Sequence, residues 1–395
     1  MKIVHLSNNL IPGGAGKAAR TINEALQKAG MDSSRLDIPN NTFWQRGMNT
    51  FRAYYDKLPL QRYPRNPKTA FSTANIGMGT DALKALEHAD LIHLHWVHQG
   101  YIGFKEMEFI ASLNKKIYIN MHDSWWISGG CNVTHGCNQW QNGCGRCPQL
   151  NSTINNDLSS KLFSTKRAIL KKLNPIIICA STWMYERAST APMFSGFKIA
   201  RIPYAIDLEK YHPVNKVEAR TALGLPLDKK LILFGSVDLN DPNKGFSYFR
   251  SAINELPEED ESEIVIFGNL PNGDLNISKK IHALGLLHDE ALLAKAYSAA
   301  DIFVAPSLED NFPNTVLESI TCGTPVVAFN IGGMPDMITH LENGFLAEAK
   351  NVHQLMLGIS KCLTDTGKMS TFARKKSEDA FRFDIIAQNY TKLYQ

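Results

Sequence analysis

Short apolar runs separated by longer stretches of helical period set the pattern of this chain. Ile3–Ser7 is such a run, and the Gly-rich turn Pro12-Gly13-Gly14-Ala15-Gly16 follows it. A helix is predicted over Lys17–Ala29, closed by Gly30 in the position a glycine takes after a last helical turn. Leu91–His95, Ile117–His122 and Ile176–Ala180 repeat the buried-strand signature. The pattern restarts at Leu231–Gly235 and continues through Ile264–Gly268, Ile302–Pro306 and Val326–Phe329, with helical segments between. Strands alternating with helices predict βαβ units and a parallel sheet. Arg201–Pro213, bracketed by prolines and poor in periodicity, separates the halves. The expected fold is therefore α/β, with two doubly wound, Rossmann-like parallel-sheet domains facing across a cleft. They span 1–205 and 206–380, with a helical segment over 381–395. In such sheets ligands bind beyond the carboxyl ends of the strands.

Composition narrows the class. The 395 residues suit two or three domains, and 44% hydrophobic with 20% charged residues is ordinary for a soluble globular chain. Disorder and collagen-like repeats are excluded. No run of about 18 apolar residues exists, so a membrane-spanning helix is excluded too. The apolar run at the N-terminus is too short and too quickly broken for a secretory signal, so the expected location is the cytoplasm. The net charge of +4 is too mild to argue for nucleic acid.

Local charge says more. Between Asn40 and Ala70 stand Arg46, Arg52, Lys57, Arg62, Arg65 and Lys68 against the single acid Asp56. Phe43, Trp44, Phe51, Tyr54, Tyr55 and Tyr63 are interleaved with them. Two readings stand: a solvated loop with a few packed aromatics, or an element facing an acceptor or an anionic membrane surface.

The odd count of seven cysteines argues against a disulfide framework. Cys179, Cys322 and Cys362 read as small core or surface residues. Cys131, Cys137, Cys144 and Cys147 crowd into a loop-rich insertion near 129–150. Cys144-x-x-Cys147 has the knuckle spacing of tetrahedral zinc, while Cys131-x5-Cys137 is looser. Structural zinc, free thiols and disulfides all remain open. A four-thiolate set would brace the loop after His122 and leave no open position for catalysis.

The sharpest chemistry lies in the second half. Ser307-Leu-Glu-Asp-Asn-Phe-Pro-Asn-Thr-Val-Leu-Glu318 follows the strand Ile302–Pro306 directly. Pro313 suits the first turn of a helix, and Cys322-Gly323-Thr324-Pro325 ends it. The helix start offers the free N–H groups of Asn311, Phe312 and Asn314, beside Pro313, to a diphosphate. Asp310, just before it, can accept from sugar hydroxyls. Glu318, about one and a half turns inside, can reach a ribose.

This stretch resembles the family-4 glycosyltransferases, whose fold is the two-domain GT-B fold. The family pattern is two acids with seven residues between them, followed by G-x-P-V-V. Here they are Asp310 and Glu318, then Gly323, Pro325, Val326 and Val327, and the upstream run Tyr297–Ser307 also fits. The first acid is Asp instead of the usual Glu, which shortens its reach by one methylene. The resemblance implies that Lys244, followed by Gly245, neutralises the departing nucleoside diphosphate beside Gly235. The family's Arg position is Ser236, so one of two expected cations is missing. Backbone groups at Gly285 and Leu286, in His282–His288, would hold the nucleobase, although that run also reads as a plain helix end. His122 would lie near the anomeric centre, and Gly14, Ala15 and Gly16 near the acceptor and donor phosphates. His122, Lys244, Asp310 and Glu318 are thus the candidate catalytic residues.

The resemblance further implies a retaining enzyme that moves a hexosyl or N-acetylhexosaminyl group from a nucleoside-diphosphate sugar to a saccharide or lipid-linked acceptor. It points to surface polysaccharide synthesis at the inner face of the plasma membrane. No catalytic cofactor is expected, since no DxD-like pair is evident in a suitable place. The acceptor would sit on the N-terminal domain, and the helix over 381–395 would cross back to that domain. A subgroup of bacterial polysaccharide glycosyltransferases is similar around the cysteines, with H-D-x-W-x-x-x-G-G-C followed by more cysteines and C-P.

Rival readings remain open. Gly14-x-Gly16-x-x-Ala19 with Asp37 also fits a dinucleotide fingerprint, and only the second half argues against a dehydrogenase. A P-loop fails, because Ile11 and Ala18 stand where Gly and Ser or Thr are needed. A nucleotide-sugar epimerase on the same fold and a non-catalytic sugar-binding relic also compete. His93-x-His95-Trp96-x-His98 places His93 and His95 on one side of a strand, which suits packing, acceptor contact or a metal.

Overall fold

The computed structural model describes residues 1–8, 13–40, 42–64, 70–270 and 274–395. Ile11, Pro12, Arg65 and Lys68 lie outside the described residues. The chain divides into two compact units: Met1–Pro203 with Asn389–Gln395, and Tyr204–Gln388.

The first unit holds strands β1 (Lys2–Ser7), β2 (Asp32–Asp37), β3 (Leu91–Leu94), β4 (Lys116–Met121), β5 (Ile176–Cys179) and β6 (Ile199–Arg201). Its helices are α1 (Gly14–Lys28), α2 (Phe43–Lys57), α3 (Phe104–Ser112), α4 (Leu158–Leu173) and α5 (Thr182–Thr190). The second unit holds β7 (Leu231–Asp238), β8 (Glu263–Asn269), β9 (Ile281–Gly285), β10 (Ile302–Ala305), β11 (Val326–Phe329) and β12 (Gly344–Ala347). Its helices are α6 (Lys216–Ala222), α7 (Phe246–Asn254), α8 (Glu290–Ala299), α9 (Asn314–Thr321), α10 (Met334–Met337), α11 (Val352–Thr364) and α12 (Thr366–Ala380). α13 (Phe383–Tyr394) begins in the second unit and is counted in the first from Asn389.

Each unit is built on a six-stranded sheet, in the orders β2-β1-β3-β4-β5-β6 and β12-β11-β10-β7-β8-β9. Every pairing is parallel. Parallel strands covered on both faces read as unbroken apolar runs, as LIHL, IIIC, IFVA and VVAF do. The sequence pattern found all eight inner strands. The four it missed, β2, β6, β9 and β12, are the four sheet edges, where burial is partial and the sequence is mixed.

The strand order reverses direction beside β1 in one sheet and beside β7 in the other. At such a switch point the loops leaving adjacent strands turn to opposite faces of the sheet and leave a crevice. The carboxyl ends of β1 and β3, and those of β7 and β10, stand at these positions. The late residues of α13 are tied into the first unit. Asn120 Nδ2 donates to Tyr390 OH (2.6 Å), Tyr394 OH meets His93 Nε2 (2.8 Å), and Lys116 Nζ donates to the Tyr394 carbonyl (3.2 Å).

Candidate functional site

The second unit brings Lys244 and Asp310 together. Asp241 caps the short turn Pro242–Lys244 by accepting from Asn243 N–H (2.9 Å). At Gly245, φ is +72°, and a Cβ would stand 1.9 Å from the Pro306 carbonyl oxygen. Only glycine lets the loop after β7 come this close to the end of β10. Leu308 N–H then donates to the Asn243 carbonyl (2.8 Å), and Asn243 Nδ2 donates to the Glu309 carbonyl (2.6 Å). The loop after β11 closes on the same point, because Gly333 N–H donates to the Asp310 carbonyl (3.0 Å).

Lys244 Nζ lies 2.8 Å from Asp310 Oδ2. The Asp310 charge raises the Lys244 pKa above its ordinary value, which keeps the ammonium charged. The sequence assigned Lys244 to phosphate and Asp310 to sugar hydroxyls separately; the structure makes them one ion pair. Glu318, on α9, is buried, and its Oε2 accepts from Tyr297 OH (2.8 Å).

Several expected contacts differ. Phe312 is buried between Tyr204 and Phe381, so its ring packs the unit. Pro313 is the N-cap of α9, one position before the expected first turn, and Asn314 opens the helix. Asn311 is buried. Gly235 is glycine for packing, since a Cβ there would stand 2.1 Å from the Phe267 ring. Ser236, also buried, donates to the Asp238 carbonyl (3.0 Å) and supplies no cation. Residues 281–285 form the edge strand β9 in place of a helix end, and Leu286 follows it partly exposed.

In the first unit, Gly14, Ala15 and Gly16 form the opening turn of α1, three residues earlier than expected, with Gly13 as N-cap. His122 sits half-buried just past β4. A line of hydrogen bonds leads to it. Ser33 Oγ donates to Asn23 Oδ1 (2.8 Å), His5 Nε2 meets Ser33 Oγ (3.1 Å), and His5 Nδ1 meets His95 Nε2 (2.9 Å). His95 Nδ1 then meets His122 Nε2 (3.0 Å). Burial pushes the His5 and His95 pKa well down, and that of His122 down to about 4. His5 was not among the sequence candidates; its partners lie diagonally across strands, where linear spacing gives no signal.

His93 Nδ1 meets Asn120 Oδ1 (2.9 Å), and His93 Nε2 meets Tyr394 OH. Among the described residues, His5, His93 and His95 are the three whose ligating atoms all lie within 4.8 Å of one another. Their nitrogens are engaged in these hydrogen bonds. Beside them, Trp96 Nε1 donates to Asp123 Oδ2 (2.8 Å).

Cys131, Cys137, Cys144 and Cys147 line one small cavity, and no disulfide joins them. Gly129 N–H donates to Cys144 Sγ (3.1 Å), and the Gln149 and Leu150 N–H groups bond Cys147. Burial lifts the Cys131 and Cys144 thiols to about 12. Lys166 is buried alongside, donating to the Trp125 and Ser128 carbonyls, and its pKa is lowered by burial to about 7. The four sulfurs do not share the mutual 4.8 Å spacing of the histidine trio.

Residues 43–57 form α2, correcting the loop reading of that stretch. Thr42 and Gln45 close a capping box at its start. The helix is inverted in polarity. At about 100° per residue, Phe43, Trp44, Met48, Phe51, Tyr54 and Tyr55 fall in one arc of roughly 140°. All six are exposed, Phe43 at 79% and Trp44 at 84%. Asn49 and Asp56 are the buried residues of the helix. Asp56, its one acid, accepts from Thr73 Oγ1 (3.2 Å). Arg46, Lys57 and, after the helix, Arg62 remain exposed.

Residues 228–365 match the family model "Glycosyl transferases group 1". The chain is 29% identical over 191 residues to an uncharacterized glycosyltransferase of Methanocaldococcus jannaschii, covering 46% of this chain and 48% of that protein. It is 30% identical over 201 residues to the N,N'-diacetylbacillosaminyl-diphospho-undecaprenol alpha-1,3-N-acetylgalactosaminyltransferase of Campylobacter jejuni (48% and 52%). It is 30% identical over 212 residues to the UDP-Gal:alpha-D-GlcNAc-diphosphoundecaprenol alpha-1,3-galactosyltransferase of Escherichia coli (50% and 54%). The chain thus spans about half the length of the curated relatives it matches. Among solved structures, sucrose-phosphate synthase from Thermosynechococcus elongatus aligns with TM-score 0.69 at 19% identity, covering 100% of this chain and 98% of that one. Anabaena HepE in complex with UDP-glucose aligns with TM-score 0.64 at 18% identity (100% and 99%). The fold is GT-B, with two Rossmann-like domains.

Proposed function

We propose, from a second unit that carries a glycosyl transferases group 1 domain, that this protein is a retaining glycosyltransferase. It moves a sugar from a nucleoside-diphosphate sugar to a saccharide or lipid-linked acceptor in surface polysaccharide synthesis. The observation that carries the reading is the meeting of Lys244 and Asp310 at the carboxyl ends of β7 and β10, with Glu318 on the helix that follows. The donor class is supported by the UDP-glucose complex of HepE. The acceptor class is supported by the diphospho-undecaprenol names of the Campylobacter and Escherichia relatives.

In this reading Lys244 and the N–H groups at Asn314 hold the diphosphate and stabilise the charge that builds on it as it leaves. Asp310 turns part of its hydrogen-bonding capacity to the sugar, and Glu318, steadied by Tyr297, meets the ribose. The acceptor attacks on the face that the leaving group departs from, which retains the anomeric configuration. On the first unit, His122 and the turn at Gly14, Ala15 and Gly16 are the candidate contacts for sugar and acceptor. A thermal-shift panel of nucleoside diphosphates and their sugars, without added metal, tests the site. A ligand at 100 times its Kd adds about 2.7 kcal/mol. A shift with one nucleotide that disappears in Lys244→Ala supports the reading; no shift with any, in folded protein, overturns it.

The same reading gives α2 to the cytoplasmic face of an anionic membrane. Its outward aromatic arc and exposed Arg46, Lys57 and Arg62 supply the apolar and cationic components of interfacial binding. No helix among the described residues is long and apolar enough to cross a membrane, so attachment would be peripheral. Co-sedimentation with vesicles of phosphatidylglycerol against phosphatidylcholine tests it; equal pelleting overturns the electrostatic part.

The four clustered thiols are proposed as a structural zinc site, with the sulfurs drawn together around the ion and Lys166 offsetting its thiolate charge. The support is their shared cavity, the C-x-x-C spacing and the N–H donors aimed at sulfur. Elemental analysis of purified protein should find about one zinc per chain, lost in Cys144→Ser; its absence overturns the site.

A further inference from the structure

The loop after β7 reaches the chain that leaves β10 through two side chains, and they are neighbours in sequence. Asn243 Nδ2 donates to the Glu309 carbonyl (2.6 Å), and Lys244 Nζ lies 2.8 Å from Asp310 Oδ2. Each partner stands 66 residues further along, so the two links run side by side. They keep the parallel sense of the strands they follow. The other polar side chains of this loop bond within it. Ser236 Oγ donates to the Asp238 carbonyl (3.0 Å), Asn240 Nδ2 donates to Asp238 Oδ1 (3.0 Å), and Asp241 Oδ1 accepts from Asn243 N–H (2.9 Å).

The Asn243 amide has one possible orientation. A carbonyl oxygen only accepts, so Nδ2 must face Glu309 and Oδ1 must face away. Oδ1 is buried there and meets no donor among the described residues. An unmet buried acceptor is costly, so stability alone does not account for an amide at this position. What the amide supplies is its donor. It holds the carbonyl immediately before Asp310, while the Asn243 carbonyl accepts from Leu308 N–H (2.8 Å). The Asp310 carbonyl in turn accepts from Gly333 N–H (3.0 Å), and a Cβ on Gly332 would stand 1.9 Å from that same oxygen. Of these ties, the Asn243 amide is the one made by a side chain, and so the one that a single substitution removes.

We propose that Asn243 is the positioning residue of the Lys244–Asp310 pair: its amide ties the loop after β7 to the chain entering Asp310 and so sets where the ammonium stands. The tie rests on hydrogen bonds within the second unit; its consequence for sugar transfer rests on the function proposed above.

The test is competitive acetylation of the folded full chain, with no ligand added, followed at Lys244 by mass spectrometry. The rate reports how much of that amine is neutral and how easily reagent reaches it. Asp310 and Asp241 are the charged groups that act on Lys244. Asp310→Asn sets the scale, because it removes the pairing charge and should speed acetylation of Lys244 about tenfold. Asn243→Ala should speed it about threefold, as the pair loosens without being removed. Lys216, which pairs with Asp301 elsewhere in the unit, should react as in the wild type. A Lys244 rate in Asn243→Ala equal to that of the wild type overturns the proposal. If Asn243→Ala does not fold, Asn243→Ser carries the same test, since its hydroxyl falls short of the Glu309 carbonyl. With the donor found by the nucleotide panel, Asn243→Ala should lower kcat about tenfold at little change in KM, a smaller loss than that of Lys244→Ala. A lowered melting temperature with kcat unchanged makes Asn243 a purely structural residue and overturns the positioning role. A wild-type protein that binds no nucleotide and transfers no sugar overturns the proposed function, while the acetylation rates still decide the tie between the two loops.

Discussion

The two units handle polarity in opposite ways at equivalent places in their sheets. Past β7 and β10, a cation and a carboxylate face each other at 2.8 Å, and the carboxylate keeps the Lys244 ammonium charged. On β1 and just past β3 and β4, the polar groups are imidazoles whose pKa burial lowers. An ion pair at the surface end of a switch point can be re-shared with a charged ligand at modest cost, because water and loop backbone still solvate it. A buried line of neutral rings cannot take up charge without unmaking its hydrogen bonds. The first arrangement suits a diphosphate. The second holds its rings in fixed orientations.

The contrast can be broken most sharply at Lys244. Lys244→Ala should lower the rate of transfer about 10²–10³-fold, the scale for removing one donor to developing charge, as measured by initial rates at saturating donor. Glu318→Gln comes next. It keeps the shape but weakens the acceptor for both the ribose and Tyr297, and should raise the donor Kd about tenfold in a calorimetric titration. If Glu318→Gln binds donor as the wild type does, the ribose assignment fails. At α2, Trp44→Ser should weaken vesicle binding about tenfold, as expected for withholding one large apolar side chain from the interface. It should leave the melting temperature unchanged, because that ring is already in solvent.

The smallest effect sharpens the comparison by pH. His93 has a folded pKa of about 3 against an ordinary value of 6.5, and His5 and His95 are shifted the same way. Between those values the unfolded chain binds protons that the folded chain refuses. Stability is therefore full above about pH 6.5 and falls as pH drops below it, by about 1 kcal/mol per histidine at pH 5.5. Thermal melts from pH 7.5 to 5 should show this acid weakening, and His93→Asn should flatten part of it. An unchanged midpoint over that range would contradict the neutral burial of these rings.

Much of this was legible in the sequence, and what was missed has common physical causes. The eight inner strands are apolar on both faces and stand out; the four edge strands are half-covered, and DSSRLD carries no apolar signature at all. Lys244, Asp310 and Glu318 could be found because loop ends carry chemistry in linear order. Their mutual pairing could not, because Lys244 and Asp310 meet only when two strands 66 residues apart become neighbours. Phe312 lies within the same motif yet packs its ring against Tyr204 and Phe381, a contact that no spacing rule foretells. The stretch around Phe43 and Trp44 was ambiguous because amphipathic periodicity tells which residues share a face, but not whether that face turns toward the core.

The assignment of Asn389–Gln395 to the first unit has a consequence for how this chain acquires its structure. That unit is discontinuous in sequence, so on the ribosome it waits for some 185 residues of the second unit to emerge before its last helical turns arrive. Until then the Asn120 amide and the far nitrogen of His93 lack Tyr390 and Tyr394, the partners that satisfy them. The second unit, contiguous from Tyr204 to Gln388, can be completed first. Of the two units, the one whose synthesis starts first is thus the one whose last residues arrive second.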